Sequence, residues 1–271
     1  MGVLNVTPDS FSDGGRYTTL DKALAHAESM VREGARIIDV GGESTRPGAR
    51  PVAVNEEIDR VLPVIERLTT ELDVIVSIDT RRAEVARAAL SVGAHLLNDV
   101  AALTGPGMIE VAAGSTAAVC LMHMQGEPAT MQLCPRYEDV VREVRDYLQA
   151  RVHACETVGI TRDRIVIDPG IGFGKTLQHN LALLAHLQAL TSLGVPVLIG
   201  VSRKSMFKAL LGRELDERLP GTIAATTAAV LGGASIVRAH DVAAAVDAVR
   251  VADALRRSGF VAPASGSQQE C

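Results

Sequence analysis

Eight short runs rich in β-branched residues alternate with Ala- and Leu-rich segments of helical period along nearly the whole chain. This is the pattern of repeated β-α units built around a parallel sheet. Strands are read at GVLNV (2–6), RIIDVGG (36–42), VIVSID (74–79), HLLNDV (95–100), AVCLMHM (118–124), RIVIDPG (164–170), VPVLIGVS (195–202) and SIVRAH (235–240). Helices are expected near 20–34, 55–71, 82–92, 106–114, 137–158, 180–193, 203–232 with a break, and 242–257. Eight such units within about 250 residues favour a closed (β/α)8 TIM barrel, in the α/β class, over an open doubly wound sheet. No G-x-G-x-x-G opens a helix after the first strand, so the dinucleotide-binding sheet loses its main support. A single domain over 1–257 with a frayed tail at 258–271, SGFVAPASGSQQEC, is expected.

Composition narrows the partners. With 47% hydrophobic but only 3% aromatic residues and no Trp, the core must be mostly Ala, Val, Leu and Ile. A net charge of −5 argues against a nucleic-acid partner, although a few Arg and Lys can still bind a small anion locally. Charges or Gly interrupt every apolar stretch before the roughly 18 residues that a membrane span needs, so no membrane partner is expected. Cys120, Cys134, Cys155 and Cys271 form no C-x-x-C pair, and no signal-peptide pattern begins the chain. Reduced thiols in a cytoplasmic protein follow as the expectation.

In a barrel, the C-terminal strand ends and the loops after them build the active site. The sequence places polar residues there repeatedly: Asn5 on the first strand, Asp39 before Gly-Gly on the second, Asp79-Thr80 on the third and Asn98-Asp99 on the fourth. Asp168-Pro-Gly ends the sixth, Ser202-Arg203-Lys204 follows the seventh, and Arg238 and His240 lie on the eighth. One ionisable group in an apolar strand can be a satisfied structural residue, but a converging set calls for a polar ligand. Asp79, Asn98 and Asp168 suit the donor-rich edge of a heterocycle, because a carboxylate accepts two N–H bonds side by side, and Lys204 suits an acceptor on the same ring. Arg238, His240 and Asn5 suit phosphate oxygens or, for Asn5, a divalent metal. The site therefore has a ring end and an anion end.

Other motifs are weaker. Ser202-Arg203-Lys204 precedes a helix and can hold an anion at its N-terminus, or can equally be a cap with two solvated cations. GESTRPGA (42–49) reads either as a turn-rich loop or, through Ser44, Thr45 and Arg46, as a ligand contact. GFGK (172–175) suggests a phosphate loop, but the G-x-x-x-x-G-K-[ST] spacing is incomplete, so a chance likeness is the better reading. After the fifth strand, His123 has no second His or Cys at ligand spacing, and Met122 reads as ring packing or core. His26, His95, His153, His179 and His186 read as structural or surface residues.

The segments GVLNVTPDSFSDGG (2–15), IIDVGGESTRPGA (37–49), VSIDT (76–80), LLNDV (96–100), CLMHMQGEPATMQ (120–132), IDPGIGFGKTLQHN (167–180), GVSRKSMF (200–207) and IVRAHDV (236–242) closely resemble the dihydropteroate synthase family of the folate pathway, nearest its chromosomal bacterial type. The resemblance implies joining of 6-hydroxymethyl-7,8-dihydropterin diphosphate to p-aminobenzoate, giving 7,8-dihydropteroate and pyrophosphate with Mg2+. It implies a pterin set of Asp79, Asn98, Asp168 and Lys204, lined by Met122 and Phe173, with Asp39 and Gly200 as further substrate-binding residues, and a diphosphate and Mg2+ end of Asn5, Arg238 and His240, with Asn5 as the metal ligand. Phe11, Thr45, Pro47 and Ser202 match the family's p-aminobenzoate surroundings, with Arg46 and Asp13 on mobile loops. It also implies sulfonamide inhibition and a homodimer, for which the Ala-rich segment 222–234 offers a close-packing face. Family members usually carry residues before the first strand, so the barrel bottom is expected to be less secure than the site.

The residues expected to act in catalysis are Asn5, Asp79, Lys204, Arg238 and His240. Early loss of pyrophosphate and attack by the arylamine are expected, since dihydropterin can stabilise a methylene cation and an aromatic amine needs little base assistance. Two alternatives stay open: a pterin-binding, corrinoid-dependent methyltransferase domain, and a non-catalytic pterin-binding scaffold.

Overall fold

In the computed structural model, which describes residues 1–6, 16–43, 52–128 and 130–259, the alternation becomes eight parallel strands and ten α-helices among the described residues. In chain order these are β1 (Gly2–Asn5), α1 (Arg16–Arg32), β2 (Ile37–Gly41), α2 (Val54–Glu71), β3 (Ile75–Asp79), α3 (Ala83–Ser91), β4 (Leu96–Asp99), α4 (Met108–Ala113) and β5 (Ala118–Met122). Then follow α5 (Val140–Thr157), β6 (Ile165–Asp168), α6 (Leu177–Ala185), α7 (Gln188–Thr191), β7 (Leu198–Ile199), α8 (Met206–Leu211), α9 (Leu219–Leu231), β8 (Ile236–Val237) and α10 (Val242–Arg257).

Strands β1 to β6 pair in sequence order, and β7 pairs with β8. Parallel bridges Ile167↔Val197 and Gly2↔Ala239 join the two sets. The Ile167 N–H donates to Pro196 O (3.0 Å), the Val3 N–H to Ala239 O (3.1 Å) and the Ala239 N–H to Met1 O (2.9 Å). The order returns from β8 to β1, and the sheet closes as the (β/α)8 barrel that the strand count implies. Strands β7 and β8 are shorter than the runs 195–202 and 235–240; Pro196 has no N–H for the ladder, and beyond Val237 pairing continues through single bonds such as Arg238 N–H to Ile199 O (2.9 Å).

Local chemistry sets the helix limits. Helix α5 begins at Val140 because the Asp139 carboxylate accepts the Val141 and Arg142 N–H groups, each at 3.1 Å. The helix expected near 180–193 starts earlier, at Leu177, where Thr176 and His179 cap each other reciprocally, and it breaks into α6 and α7 around His186. The expected tail at 258–271 begins with Ser258 and Gly259 closing α10 through N–H bonds to Ala254 O and Arg256 O. From residue 260 it lies outside the described residues.

The period-two alternation of the strands divides two interiors. Outward residues such as Leu4, Ile38, Val40, Ile78, Leu97, Leu121 and Ile167 are fully buried between barrel and helices. Inside the barrel, Leu96, Cys120, Val166 and Leu198 form a smaller apolar cluster with Ile37, Ala118 and Ile236 packed against it. One step further toward the C-terminal strand ends, on the same inward face, come Asp39, Ser77, Asn98, Asp168 and Arg238. The barrel is thus apolar below and polar above.

Candidate active site

The register lines up Asn5, Gly41, Asp79 and Asn98 on four adjacent strands. Gly41 has no side chain, so Asn5 and Asp79 face each other across a gap; a Cβ built there would lie 3.7 Å from Asn5 Oδ1 and from Asp79 Cβ. One layer deeper, Asp39 is wholly buried and accepts three bonds: from Ser77 Oγ (2.6 Å), Asn98 Nδ2 (2.9 Å) and Arg238 Nε (2.7 Å). The same guanidinium donates through Nη2 to Asp79 Oδ2 at 2.9 Å. Arg238, at the end of β8, therefore reaches past β1 to carboxylates on β2 and β3, a geometry its planar fork permits.

These charges are strained by their surroundings. Burial raises the Asp79 carboxyl above its ordinary range, while Arg238 opposes the rise and Asp39 adds to it. Burial likewise raises Asp168, opposed first by the Gly170 N–H, which donates to Asp168 Oδ1 at 2.7 Å, and then by Lys204 and Lys175. A carboxylate has about four lone-pair positions, so Asp168 retains acceptor capacity for a ligand's N–H groups. Asn98 commits its amide nitrogen to Asp39 and presents its carbonyl oxygen as an acceptor. Buried carboxylates held by fixed donors form an edge that can recognise a donor-rich heterocycle.

Lys204 lies over the Phe173 ring, with Nζ 4.2 Å from the centroid, and Gly172 runs beneath its stem, where a Cβ would approach Lys204 Cδ to 3.1 Å. Met122 is buried beside Gly170. Gly200 sits against Arg238, 3.9 Å from that residue's Cβ to a Cβ built on the glycine. Ser202 Oγ accepts the His240 backbone N–H (3.1 Å) and shares a hydrogen bond with His240 Nδ1 (3.0 Å), tying the β7 and β8 ends together. All of the expected strand-end residues among the described ones thus gather at one mouth, except those treated next.

Three residues of the strand-end set serve the frame instead: Thr80, which follows the inward Asp79 and donates through Oγ1 to buried Glu57 of α2 at 2.8 Å, Asp99 and Arg203. Asp99 follows the inward Asn98, so alternation sends it outward, where it is fully buried and accepts the Ala101 and Leu103 N–H groups at 2.8 and 2.7 Å. Burial pushes its carboxyl up to about 6. It holds a turn in which Ala102 and Leu103 both take the left-handed conformation, and Arg151 Nε bonds Ala102 O at 2.8 Å. Arg203, a candidate anion holder, bonds Asp241 through Nε (2.9 Å) and Nη2 (2.5 Å). The helix after it, α8, has only six residues. Phe11, Asp13, Ser44, Thr45, Arg46 and Pro47 lie outside the described residues.

Residue-by-residue reading missed Ser77 as a support of Asp39, and it missed Lys175. Alternation could have found Ser77, two positions before Asp79 on the same face. Lys175 is almost completely buried, which the GFGK string alone does not signal.

A barrel mouth with an acidic, amide-lined floor and a cationic flank defines a class, the enzymes that bind a pterin-like heterocycle. The family model described as pterin binding enzyme matches residues 1–240, and the chain belongs to that family. Within it, the chain falls among the dihydropteroate synthases of the folate pathway. The dihydropteroate synthase of Escherichia coli K12 is 50% identical over 254 residues, 94% of this chain and 90% of its relative. The crystal structure of the Yersinia pestis dihydropteroate synthase with a sulfonamide drug superposes with a TM-score of 0.90 at 47% identity, covering 95% of this chain and 94% of the other. The Xanthomonas albilineans dihydropteroate synthase with 4-aminobenzoic acid gives a TM-score of 0.89 at 50% identity, covering 94% and 92%.

Proposed function

We propose that the barrel mouth binds 6-hydroxymethyl-7,8-dihydropterin diphosphate beside p-aminobenzoate and joins the pterin methylene to the arylamine nitrogen, releasing pyrophosphate. The observation that carries this reading is the wired polar tier: Asp39, Ser77 and Asn98 fix Arg238, and Arg238 fixes Asp79, directly under the mouth. Such prepaid positioning suits a reaction whose barrier lies in charge separation and alignment.

In this reading Asp168 and Asn98 orient the ring edge, while Phe173 and Met122 contact its faces. Lys204, held over Phe173, bonds a ring acceptor. As the methylene–oxygen bond breaks, positive charge grows on the pterin, and the carboxylates of Asp79 and Asp168 stabilise it. Asn5, Arg238 and His240 receive the opposite charge on the leaving diphosphate. The arylamine, a competent nucleophile at neutral pH, then attacks the methylene and loses its proton to solvent.

Mg2+ fits this donor set as a companion of the diphosphate. Among the described residues no three His, Cys, Asp or Glu side chains gather to hold a metal, whereas Asn5 offers one neutral oxygen beside Asp79, and Mg2+ commonly combines few protein oxygens with substrate phosphates and waters. When bound, it neutralises charge developing on the leaving oxygens. We further propose a cytoplasmic homodimer; the paired helices α9 and α10 leave Leu219, Val251 and Leu255 exposed, which supports a self-association face there.

The test is pyrophosphate release from the two named substrates across a range of Mg2+ concentrations. Release that requires both the pterin diphosphate and Mg2+ is expected, and its absence at every Mg2+ level sinks the reading. Release from the pterin substrate without p-aminobenzoate separates early bond breaking from attack by the amine.

A further inference from the structure

The loops after β5 and β6 meet backbone to backbone. Gly170, at φ +66°, comes so close to His123 that a Cβ would fall 2.0 Å from its carbonyl oxygen. Gly174, at φ +61°, does the same to Gln125, with a Cβ 2.4 Å from the carbonyl oxygen. Only glycine permits either approach. The His123 N–H donates to Asp168 O (2.9 Å), and the Tyr137 hydroxyl donates to Gly174 O (2.8 Å).

Lys175 closes this junction from inside. Its Nζ lies 2.9 Å from His123 Nδ1, 3.3 Å from His123 O and 2.9 Å from Phe173 O, so the amino group meets three acceptors, while burial pulls its pKa down to about 7. Burial keeps the His123 ring neutral, its pKa pushed down to about 3, and in the tautomer with its proton on Nε2 the Nδ1 atom accepts from Lys175. Tyr147 packs edge-on against that ring, 4.9 Å between centroids, and Tyr137 packs at 6.1 Å. A buried amino group bonded to its own loops is not a phosphate ligand, which disposes of the phosphate-loop likeness in GFGK.

We infer that Lys175 is a positioning residue for the pterin end of the site: by clasping the β5 and β6 loops together it sets the Phe173 ring on which Lys204 rests. The path is short. Lys175 holds the Phe173 carbonyl, the Phe173 ring carries the Lys204 ammonium at 4.2 Å, and Gly172 lies under the Lys204 stem. The lysine's bonds all go to its own loops, so its main route to the site is Phe173, with a lesser influence of its charge on Asp168.

The inference rests on the proposed pterin contact of Phe173, and a double-mutant cycle with steady-state kinetics separates the two. Phe173→Ala alone should raise the KM for the pterin diphosphate; if it does not, the pterin reading of this subsite fails and the inference with it. Lys175→Met, which keeps length and removes the donors, should raise the same KM about tenfold and leave the p-aminobenzoate KM within about twofold, since small misplacements weaken a preorganised site. In the Phe173→Ala background, Lys175→Met should add little further. An unchanged pterin KM in Lys175→Met, equal losses toward both substrates, or full additivity with Phe173→Ala overturns the inference. If Lys175→Met does not fold, Tyr137→Phe decides. It deletes the one hydroxyl bond to Gly174 O, and a selective rise in the pterin KM supports the clasp where no rise refutes it.

Discussion

Replacing Arg238 with Met tests whether the polar tier is held by charge. The guanidinium makes two bonds, to Asp39 at 2.7 Å and to Asp79 at 2.9 Å. Removing one partner of a buried ion pair costs about 3–5 kcal/mol, because the other charge is left uncompensated. At about 2–4 °C per kcal/mol for a domain near this size, the melting temperature should fall by about 6–20 °C at pH 8. The two carboxylates will not share the loss equally. Asp39 keeps the Ser77 and Asn98 donors, whereas Asp79 loses the donor that opposed its upward shift. Asp79 should therefore take up a proton first.

The sign of the pH dependence follows. A carboxyl whose folded pKa is raised above its unfolded value of about 3.9 destabilises the fold increasingly as pH rises toward the folded pKa, and the penalty is complete above it. Loss of Arg238 extends that window upward, so the deficit of Arg238→Met relative to the parent should be clearly smaller at pH 5.5 than at pH 8. Thermal and urea melts of the parent, Arg238→Met and Arg238→Met/Asp79→Asn at both pH values measure it. The added Asp79→Asn change should recover much of the loss at pH 8 and flatten the pH difference. Equal deficits at the two pH values, or no recovery, would refute an electrostatic tier and leave only lost packing.

Further expectations concern other parts of the frame. Gly170→Ala should yield little folded protein by expression and circular dichroism, since its Cβ would meet a backbone oxygen at 2.0 Å and the residue holds positive φ. Arg82 bonds buried Glu57 at 2.8 Å and Glu43 at 2.9 Å; Arg82→Met should cost about 3 kcal/mol at pH 8 in urea melts. Because burial already raises Glu57, that loss should shrink toward pH 5. Chelation of Mg2+ should abolish pyrophosphate release while leaving the melting curve of the ligand-free protein unchanged within about 1 °C, as expected of a metal that contributes little to the fold.

The strand count was legible because each strand is a β-branched run and each helix has a different period, and eight units leave little choice but closure. The mouth was legible for the same reason: Asn5, Asp79, Asn98 and Asp168 all stand at strand ends, and strand ends converge. Asp99 shows the limit of that argument, because position at a strand end says nothing about which face a residue takes. Counting alternation from Asn98 would have turned it outward. Lys175 was beyond local reading, since its burial depends on two glycines meeting carbonyls of another loop some 50 residues away, Gly170 against His123 and Gly174 against Gln125.

That glycine seam also limits how the barrel can be rebuilt. Loops at the mouth of such a barrel are usually exchanged one at a time, each strand supplying an independent socket. Here the β5 and β6 sockets share a wall made of backbone, so neither loop carries its shape without the other. A graft that moves 123–125 alone would face glycines spaced for a different carbonyl, and one that moves 170–175 alone would lose the two acceptors that His123 gives its lysine. The interchangeable unit is the pair, and variation at either loop is expected to be correlated with the other even where the side chains never touch.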